Sequence, residues 1–474
     1  MIEPDAVQGF LDRLCQAGPP GAGPWAAGPP GAGQPSFAAV VEEIRRLGIA
    51  PGTPVMVAVP NGAAFVAVVL ALLTREAVPV LLPPSAPPAR IERMARALGA
   101  DVLITPRVQG GLAREEPSHM LDGSLRLAFL HGVRPRAYRP GEIVLLTSGT
   151  SGVFSGCLHH IDSLLLNAAR HAEAVGQTAA DRVLINLPLH YSYAFVAQLL
   201  ASFVSGSTAV VSGPPFTPAH HERTVRQHGG TVSSLTPVMV ESWLRAGTRF
   251  PAGLRCLTVG GDTLGASSVA AVLAGNPGLE VYLTYGLTEA GPRVSTLAAH
   301  REPPHRHGSV GLPLPGVEVR LRKEDPRDTV GELVVETDTG MLRKVGHRAA
   351  AAPPAGGGRV SIGTGDFFEM DDEGYLFFRR RRTTYVMSRG EKVSLRSVCE
   401  TAEALPGVRA AQAWVHENAA GDVVFTLDVY CADASVDGQE IRRRLARVLL
   451  RSEQPAHVVV HPVSQLGWRK SVAK

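Results

Sequence analysis

Short apolar runs alternate with helical patterns along the chain as far as about residue 291. Runs rich in β-branched residues, such as 78–82 and 102–105, predict buried strands. The stretches 63–74 and 88–98, on either side of the first of these runs, predict helices. Further strands are predicted at 54–59, 143–146, 182–187, 208–212, 231–235, 254–259 and 280–284, with a long apolar helix at 195–205. This alternation indicates an α/β fold class with mostly parallel, helix-flanked sheets.

The pattern changes beyond residue 291. The stretches 317–322 and 332–336 predict short strands of a small antiparallel or barrel-like sheet. From about residue 385, strand and helix patterns predict a compact α+β unit of its own. Near the beginning of the chain, residues 18–34 repeat GPPGAG around Trp25, which is typical of a mobile low-complexity loop.

The predicted strands of the first part end in loops of similar chemistry. The residues that follow Leu146, Leu187, Leu235, Val259 and Thr284 are glycine, proline, hydroxyl, aromatic or acidic residues. In open α/β sheets, ligands bind beyond the carboxyl ends of the strands. Five such loops in series therefore predict one shared site.

The loop at 147–152 is the most distinctive of these segments. Its small hydroxylic residues and glycines, Thr-Ser-Gly-Thr-Ser-Gly, follow a buried strand directly. Such a loop can turn backbone N–H groups and hydroxyls inward and bind phosphate. It matches neither G-x-x-x-x-G-K-[ST] nor G-x-G-x-x-G. Taken alone, the same composition also fits a flexible Ser/Gly loop.

Composition and charge exclude several functional classes. The 474 residues are 45% hydrophobic and 19% charged, and the net charge of +4 is too small to favour nucleic acid or an anionic membrane as a partner. The five cysteines are dispersed, which favours reduced thiols in a cytoplasmic protein. The first residues contain no signal-peptide pattern, and the longest apolar run, 63–74, is too short for a membrane span.

Taken in order and spacing, these motifs resemble the adenylate-forming superfamily of acyl-CoA synthetases, peptide-synthetase adenylation domains and luciferases. The resemblance extends from about residue 36 to the end of the chain. Y-G-L-T-E at 285–289 together with T-G-D at 364–366 is its most specific part. The other matching segments are 147–152, Gly260-Gly261-Asp262, 308–316, Arg381 and 390–393.

The resemblance implies a reaction in which a carboxylic acid is joined to AMP with release of pyrophosphate, with ATP and Mg²⁺ as cofactors. Catalysis would rest mainly on charge stabilisation during phosphoryl transfer. Glu289 would bind Mg²⁺, Thr288 would lie near the α-phosphate, and Asp366 would accept the ribose hydroxyls. The residues that would contact ATP or AMP are Thr147, Ser148, Gly149, Thr150, Ser151, Gly261, Asp262, Tyr285, Gly286, Thr288, Asp366 and Arg381.

The resemblance also implies the pocket for the acid. Its candidate residues are His190, Tyr191, Ser192, Tyr193, Gly260, Gly286, Leu287 and Gly291. Peptide-synthetase domains place an aspartate in this region to pair with an amino group. Since residues 187–202 include no acidic side chain, an α-amino acid is disfavoured as the substrate.

A mobile C-terminal domain is a further implication of the family. The resemblance implies an N-terminal adenylation core at 1–381 and a lid domain at 382–474. Arg382 and Thr383 would form the hinge between them. Superfamily members carry a catalytic lysine near the C-terminus. Lys470 and Lys474 are the candidates here, and Lys470 is slightly favoured.

The chain departs from the family pattern in its phosphate loop. That loop usually ends in Pro-Lys-Gly, but Phe154, Ser155 and Gly156 stand here, so the lysine is missing. Losing one preorganised charge contact costs roughly 2.7–4 kcal/mol in a typical active site. Three alternatives therefore remain. The acyl group is transferred to a phosphopantetheine thiol of CoA or an acyl-carrier protein, or an amine attacks the same adenylate, or the protein binds adenylates without catalysis.

Overall fold

The computed structural model describes residues 3–16, 37–108, 111–114, 118–122, 125–146, 155–213, 216–247, 249–346, 358–381, 385–388, 391–418, 422–431 and 437–462. Several predicted features lie outside these ranges. They are the low-complexity loop 18–34, the phosphate loop 147–152, the hinge residues Arg382 and Thr383, and the two candidate lysines Lys470 and Lys474.

The described helices follow the predicted helical stretches closely. The α-helices are α1 (Pro4–Asp12), α2 (Phe37–Arg46), α3 (Ala63–Thr74), α4 (Pro88–Leu98), α5 (Ile161–Ala174), α6 (Ser192–Ala194), α7 (Ala201–Ser205), α8 (Pro218–His228), α9 (Pro237–Arg245), α10 (Ala266–Gly275), α11 (Leu395–Glu403) and α12 (Gly438–Ala446). Short 3₁₀ turns occur at Thr288–Ala290, Ala299–Arg301, Pro304–Arg306 and Arg451–Glu453. Among the helices described, none is long and apolar enough to cross a bilayer.

The strands extend over the whole described chain. They are β1 (Cys15–Gln16), β2 (Pro54–Val57), β3 (Val78–Leu81), β4 (Val102–Thr105), β5 (His119–Asp122), β6 (Leu125–Phe129), β7 (Glu142–Leu146), β8 (Ser155–His160), β9 (Arg182–Ile185), β10 (Thr208–Val211), β11 (Val232–Leu235), β12 (Cys256–Gly260), β13 (Glu280–Gly286), β14 (Arg293–Ala298), β15 (Leu312–Pro313), β16 (Val317–Arg322), β17 (Val330–Thr337), β18 (Arg343–Gly346), β19 (Val360–Met370), β20 (Leu376–Arg381), β21 (Tyr385–Ser388), β22 (Glu391–Ser394), β23 (Val408–Glu417), β24 (Val423–Cys431) and β25 (His457–Pro462).

Two eight-stranded sheets form the larger part of the molecule. The first has the order β1-β10-β9-β11-β12-β13-β14-β15, and all its pairs up to β13 are parallel. The second has the order β18-β8-β7-β3-β2-β4-β6-β5, with a parallel centre and antiparallel edges. The predicted fold class, α/β with mostly parallel sheets, is confirmed. The antiparallel edge strands were not predicted, because short, partly polar edge strands carry little periodicity.

Helix α3 connects the cores of the two sheets. One apolar cluster contains Val57 of the second sheet, Ile185 of the first, and side chains from most of α3. The helix is apolar on every side, and a helix of that kind is stable only when it is buried all round. Packing it between the sheets fixes their relative position, and with it the edge where the parallel strands end.

The predicted helix at 195–205 has a different form. It begins at Ser192, widens into a π-helical segment at Phe195–Leu200, and continues as α7. Because nearly every side chain of the stretch is apolar, the sequence pattern does not define its helical period. The buried Gln198 donates from Nε2 to the carbonyl of Leu184 at 2.9 Å. π-Segments of this kind occur often at functional sites, and this one follows directly after Ser192 and Tyr193.

Two smaller units complete the described fold. Strands β16, β17, β19 and β20 form an antiparallel sheet. Strands β23, β24 and β25 form a mixed sheet, in which β24 pairs antiparallel with β23 and parallel with β25, and α11 and α12 pack against it. The second unit contacts the larger part through the Arg90–Glu453 ion pair and through Leu450, which belongs to a cluster with Met56. The division at 381/382 stays a prediction, since residues 382–384 lie outside the described ranges.

Candidate active site

The carboxyl ends of β12 and β13 meet beside the first turn of α6. Tyr193 shares a hydrogen bond between its hydroxyl and Thr258 Oγ1 at 3.2 Å, and Thr258 donates to Ser234 Oγ at 2.8 Å. A Cβ placed on Gly260 would lie 3.2 Å from Tyr193 Cζ. The structure therefore brings two predicted pocket residues, Tyr193 and Gly260, into contact.

Asp366 holds two other predicted site residues. Tyr285 donates from its hydroxyl to Asp366 Oδ2 at 2.8 Å, and Arg381 donates from Nη2 to the same oxygen at 2.5 Å and from Nε to Oδ1. The Asp366 side chain is 0% exposed. Burial, and then the Asp366 carboxylate, raises the pKa of Tyr285 well above its ordinary value, so the phenol remains a donor. This triad joins three motifs that are far apart in the sequence.

The positions of these motifs within the fold differ from the prediction in one respect. Tyr285 and Gly286 were expected in a loop after the strand, but they form the end of β13. Asp366 lies inside β19, paired with Arg381 of β20. The pairing register shifts between Phe367 and Phe368, next to this pair. Strand residues hold the triad more rigidly than loop residues would.

Thr288 is fixed from two sides. Its Oγ1 shares a hydrogen bond with Ser192 Oγ at 2.8 Å, and its carbonyl lies 2.9 Å from His159 Nε2. Burial lowers the pKa of His159 to about 4, so the imidazole is neutral at pH 7. Because a carbonyl oxygen only accepts hydrogen bonds, the neutral ring must carry its proton on Nε2.

Glu289 forms an ion pair that the sequence did not suggest. Lys344 Nζ lies 3.0 Å from Glu289 Oε1, and their side chains are 25% and 17% exposed. Burial alone would lower the pKa of Lys344, but the Glu289 carboxylate outweighs it and raises that pKa above its usual value. Lys344 is on β18, which pairs with β8 directly after the predicted phosphate loop.

His190 and Tyr191 face the C-terminal unit. Their rings are 4.3 Å apart, and burial lowers the pKa of His190 to about 3. Burial, and then the carboxylates of Glu391 and Glu453, raises the pKa of Tyr191. Glu391 also accepts a hydrogen bond from Ser452. The predicted pocket residues at 190–191 therefore lie where the two parts of the chain meet.

The remaining predicted residues lie on both sides of β13. A shallow pocket beside the strand contains Asp262 and residues of the predicted 308–316 motif; its lining is Val259, Asp262, Thr263, Leu264, Leu283, Thr284, Gly308, Ser309 and Val310. Gly261 precedes Asp262 with a φ of +91°. Leu287 packs with Tyr285 in the cluster around Phe368. Gly291 has a φ of +105°, and a Cβ there would lie 2.4 Å from the Thr339 carbonyl, so only glycine fits.

Comparison with known proteins identifies the family. The profile of the AMP-binding enzymes matches residues 37–343. The chain belongs to the AMP-binding enzyme family. The predicted resemblance to the adenylate-forming superfamily is thereby confirmed.

Curated relatives of this family member are 2-succinylbenzoate–CoA ligases. The Bacillus subtilis enzyme is 27% identical over 254 residues, which cover 53% of this chain and 51% of that enzyme. The enzyme of Bacillus cereus strain Q1 is 25% identical over 382 residues, or 79% and 77% of the two chains. The chain thus spans about half the length of the first of these relatives in the matched region.

Solved structures show the same fold. The Bacillus subtilis o-succinylbenzoate CoA synthetase bound to a product analogue superposes with a TM-score of 0.73 at 22% identity, covering 90% of this chain and 89% of that one. The amide bond synthetase of Marinactinospora thermotolerans gives 0.73 at 21% identity, covering 96% and 95%. Both likenesses confirm the α/β architecture.

Two residues of the site were missed by sequence reasoning. Lys344 carried a signal, because lysine is rare in this chain and occurs at only five positions, 323, 344, 392, 470 and 474. Arg293 carried no such signal in the sequence, because arginine is common in this chain. Its guanidinium carbon lies 4.7 Å from the centre of the Tyr193 ring, in the wall of the predicted acid pocket.

Proposed function

We propose that the protein activates a small aryl or acyl carboxylic acid as an acyl-adenylate, with release of pyrophosphate. The acyl group then passes to the phosphopantetheine thiol of CoA or of an acyl-carrier protein. The observation that carries this proposal is the convergence of Tyr285, Asp366 and Arg381 with Thr288 and Glu289, in a chain that belongs to the AMP-binding enzymes. CoA ligases among the relatives support a thiol acceptor.

The residues around Glu289 fit ATP with Mg²⁺. In the described part of the chain, no group of three or more His, Cys, Asp or Glu side chains could hold a metal ion. Mg²⁺ is usually bound by one or two carboxylates together with substrate phosphates, and Glu289 can supply one. The structure of the Bacillus subtilis enzyme with ATP and a magnesium ion supports Mg²⁺ as the ion. When bound, the ion would neutralise charge on the phosphate oxygens.

The chain's own residues position the nucleotide. Tyr285 and Arg381 donate three hydrogen bonds to the Asp366 carboxylate, so one of its four lone pairs, on Oδ1, remains to accept a ribose hydroxyl. Thr288, held by Ser192 and His159, offers its hydroxyl to the α-phosphate. Because these groups are already bonded to the fold, little reorganisation is needed as charge develops.

Lys344 takes the place of the missing phosphate-loop lysine in this proposal. Gly346, two residues after it on β18, pairs with Ser155, where the family places the lysine. Lys344 Nζ is already held 3.0 Å from Glu289, next to where the phosphates would bind. A lysine entering from a neighbouring strand can thus supply the charge that Ser155 lacks.

Replacing Lys344 with methionine is expected to reduce kcat/KM for ATP by about tenfold or more, because one preorganised charge is lost. Steady-state pyrophosphate exchange measures this effect. The matched control is Lys323→Met, since Lys323 is exposed and lies outside the site. The change Ser155→Lys in the Lys344→Met background should restore part of the loss. Equal rates in Lys344→Met and wild type would refute the assignment.

ATP–pyrophosphate exchange tests the function as a whole. We expect exchange with aryl or short acyl acids and none with α-amino acids, because residues 187–202 include no acidic side chain. Adding CoA should then give AMP and the acyl-CoA thioester, detected by mass spectrometry.

Two other outcomes of that assay define the alternatives. Exchange followed by amide formation with added amines, but not by thioester formation, would favour an amide-forming enzyme, which is the activity named for one structural neighbour. Measurable AMP binding without exchange for any acid would favour an adenylate-binding protein that has lost catalysis.

We also propose that the C-terminal domain moves during the reaction and that the protein is cytoplasmic. Residues 382–474 would close for adenylation and rotate about Arg382 and Thr383 for transfer, with Lys470 or Lys474 as the catalytic lysine. The contacts of Glu391 with Tyr191 and of Arg90 with Glu453 support one docked position of that domain. Dispersed free cysteines support the cytoplasmic assignment.

A further inference from the structure

Arg293 is a buried cation that has no anionic partner within the described ranges. The residue is 2% exposed, and among the described residues its Nε and Nη2 atoms have no hydrogen-bond partner. Among the residues that the structure describes, no carboxylate forms an ion pair with it. Burial lowers the pKa of Arg293, but a guanidinium stays charged even so.

The guanidinium lies against predicted residues of the acid pocket. It stacks over the Tyr193 ring at 4.7 Å, and a Cβ on Gly286 would lie 3.2 Å from its Nη1. Arg293 is the first residue of β14, which pairs with β13. The cation therefore lies between Tyr193 of α6 and Gly286 at the end of β13.

In the part of the chain that the structure describes, the elements packed around Arg293 supply no compensating charge. On α5, Asn167 bonds to the Arg293 backbone N–H and carbonyl rather than to its guanidinium. On the same helix His171 is buried, and burial, with Arg293 next, lowers its pKa to about 3, so it is neutral. Tyr193 and Thr258 share a hydrogen bond with each other. A buried unpaired charge is strongly unfavourable, so this site is incomplete without an anion.

We propose that Arg293 binds a second carboxylate of the acid substrate, which makes the substrate class a dicarboxylic acid. The inference rests on the proposed adenylation function. One carboxylate reacts near Thr288, and the other is held at the Arg293 end of the pocket. The planar guanidinium suits a carboxylate because it can donate two parallel hydrogen bonds. The Tyr193 ring keeps the guanidinium plane in place through the cation–π contact.

The test compares diacids with their half-amides on the full-length protein. Succinate, glutarate, adipate and terephthalate are each paired with the half-amide, which differs only at the second carboxylate. In ATP–pyrophosphate exchange, we expect wild type to prefer at least one diacid by about 10²-fold in kcat/KM, since the half-amide leaves Arg293 unpaired. Arg293→Met should abolish this preference chiefly by raising KM for the diacid. Arg293→Lys should keep part of it.

A thermal-shift measurement separates this inference from the proposed function. The preferred diacid should raise the Tm of wild type but not of Arg293→Met, whether or not exchange occurs. Without ligand, the Tm of Arg293→Met should be equal to or above that of wild type, because the substitution removes an unpaired buried charge. If Arg293 were only a support for Tyr193, the unliganded variant would melt lower instead.

Exchange and thermal shift together distinguish the Arg293 assignment from the adenylation function. No diacid preference in either exchange or thermal shift overturns the Arg293 assignment. Diacid stabilisation that needs Arg293, without exchange for any acid, supports the assignment and overturns adenylation. If Arg293→Met fails to fold, the unpaired-charge argument is overturned, and Arg293→Lys still reports the diacid preference.

Discussion

The substitution Glu289→Gln is expected to reduce ATP–pyrophosphate exchange by about 10²–10³-fold, the usual loss when one preorganised electrostatic group is removed from an active site. Glutamine keeps the shape of the side chain but removes the charge that is proposed to bind Mg²⁺ and that pairs with Lys344 at 3.0 Å. The main effect should be on kcat, because phosphate charge develops during the reaction. Exchange rates at saturating acid and ATP measure it.

The control for Glu289 is Glu324→Gln, an exposed glutamate outside the site, which should exchange at the wild-type rate. Glu289→Asp should be intermediate, since it keeps the charge but shortens its reach. An exchange rate for Glu289→Gln close to wild type would show that Glu289 is not the residue that binds the metal ion.

The second large effect is expected from Asp366→Asn. The free energy of unfolding should fall by about 3 kcal/mol, the lower end for a broken buried ion pair, because Arg381 is 20% exposed and water screens part of the loss. The affinity for AMP should fall about 10²-fold, since the amide accepts fewer hydrogen bonds from the ribose than the carboxylate. Urea denaturation and calorimetric titration with AMP measure the two effects.

A double variant separates the two roles of Asp366. Adding Arg381→Met removes the guanidinium that has lost the Asp366 carboxylate, and it should restore part of the stability without restoring AMP affinity. Recovery of both would assign Asp366 a purely structural role. Asp372→Asn, on the exposed turn before β20, is the matched control and should change neither quantity.

Local patterns account for much of what the sequence predicted correctly. The apolar runs of α3 and of the strands β3 and β4 depend only on residue type and period, so they predict elements and burial without knowledge of neighbours. Edge strands such as β5 and β18 were missed because they are held by pairing with a neighbour, and their own periodicity is weak. The π-segment at Phe195–Leu200 was missed because its sequence, apolar except for Gln198, fits several helical periods.

The sequence by itself determined the α/β class and the family, because these depend on local periodicity and on the order of short motifs. Only the tertiary structure decided which charges meet. Lys344 reaches Glu289 because β18 pairs with β8, and Asp366 meets Tyr285 and Arg381 through the register of β19 and β20. The lack of a partner for the Arg293 guanidinium among the described residues is likewise a property of the fold, since it depends on which side chains the surrounding elements place there. Ion pairs between residues that are distant in the sequence depend on which strands become neighbours in a sheet, and no local stretch of sequence encodes that order.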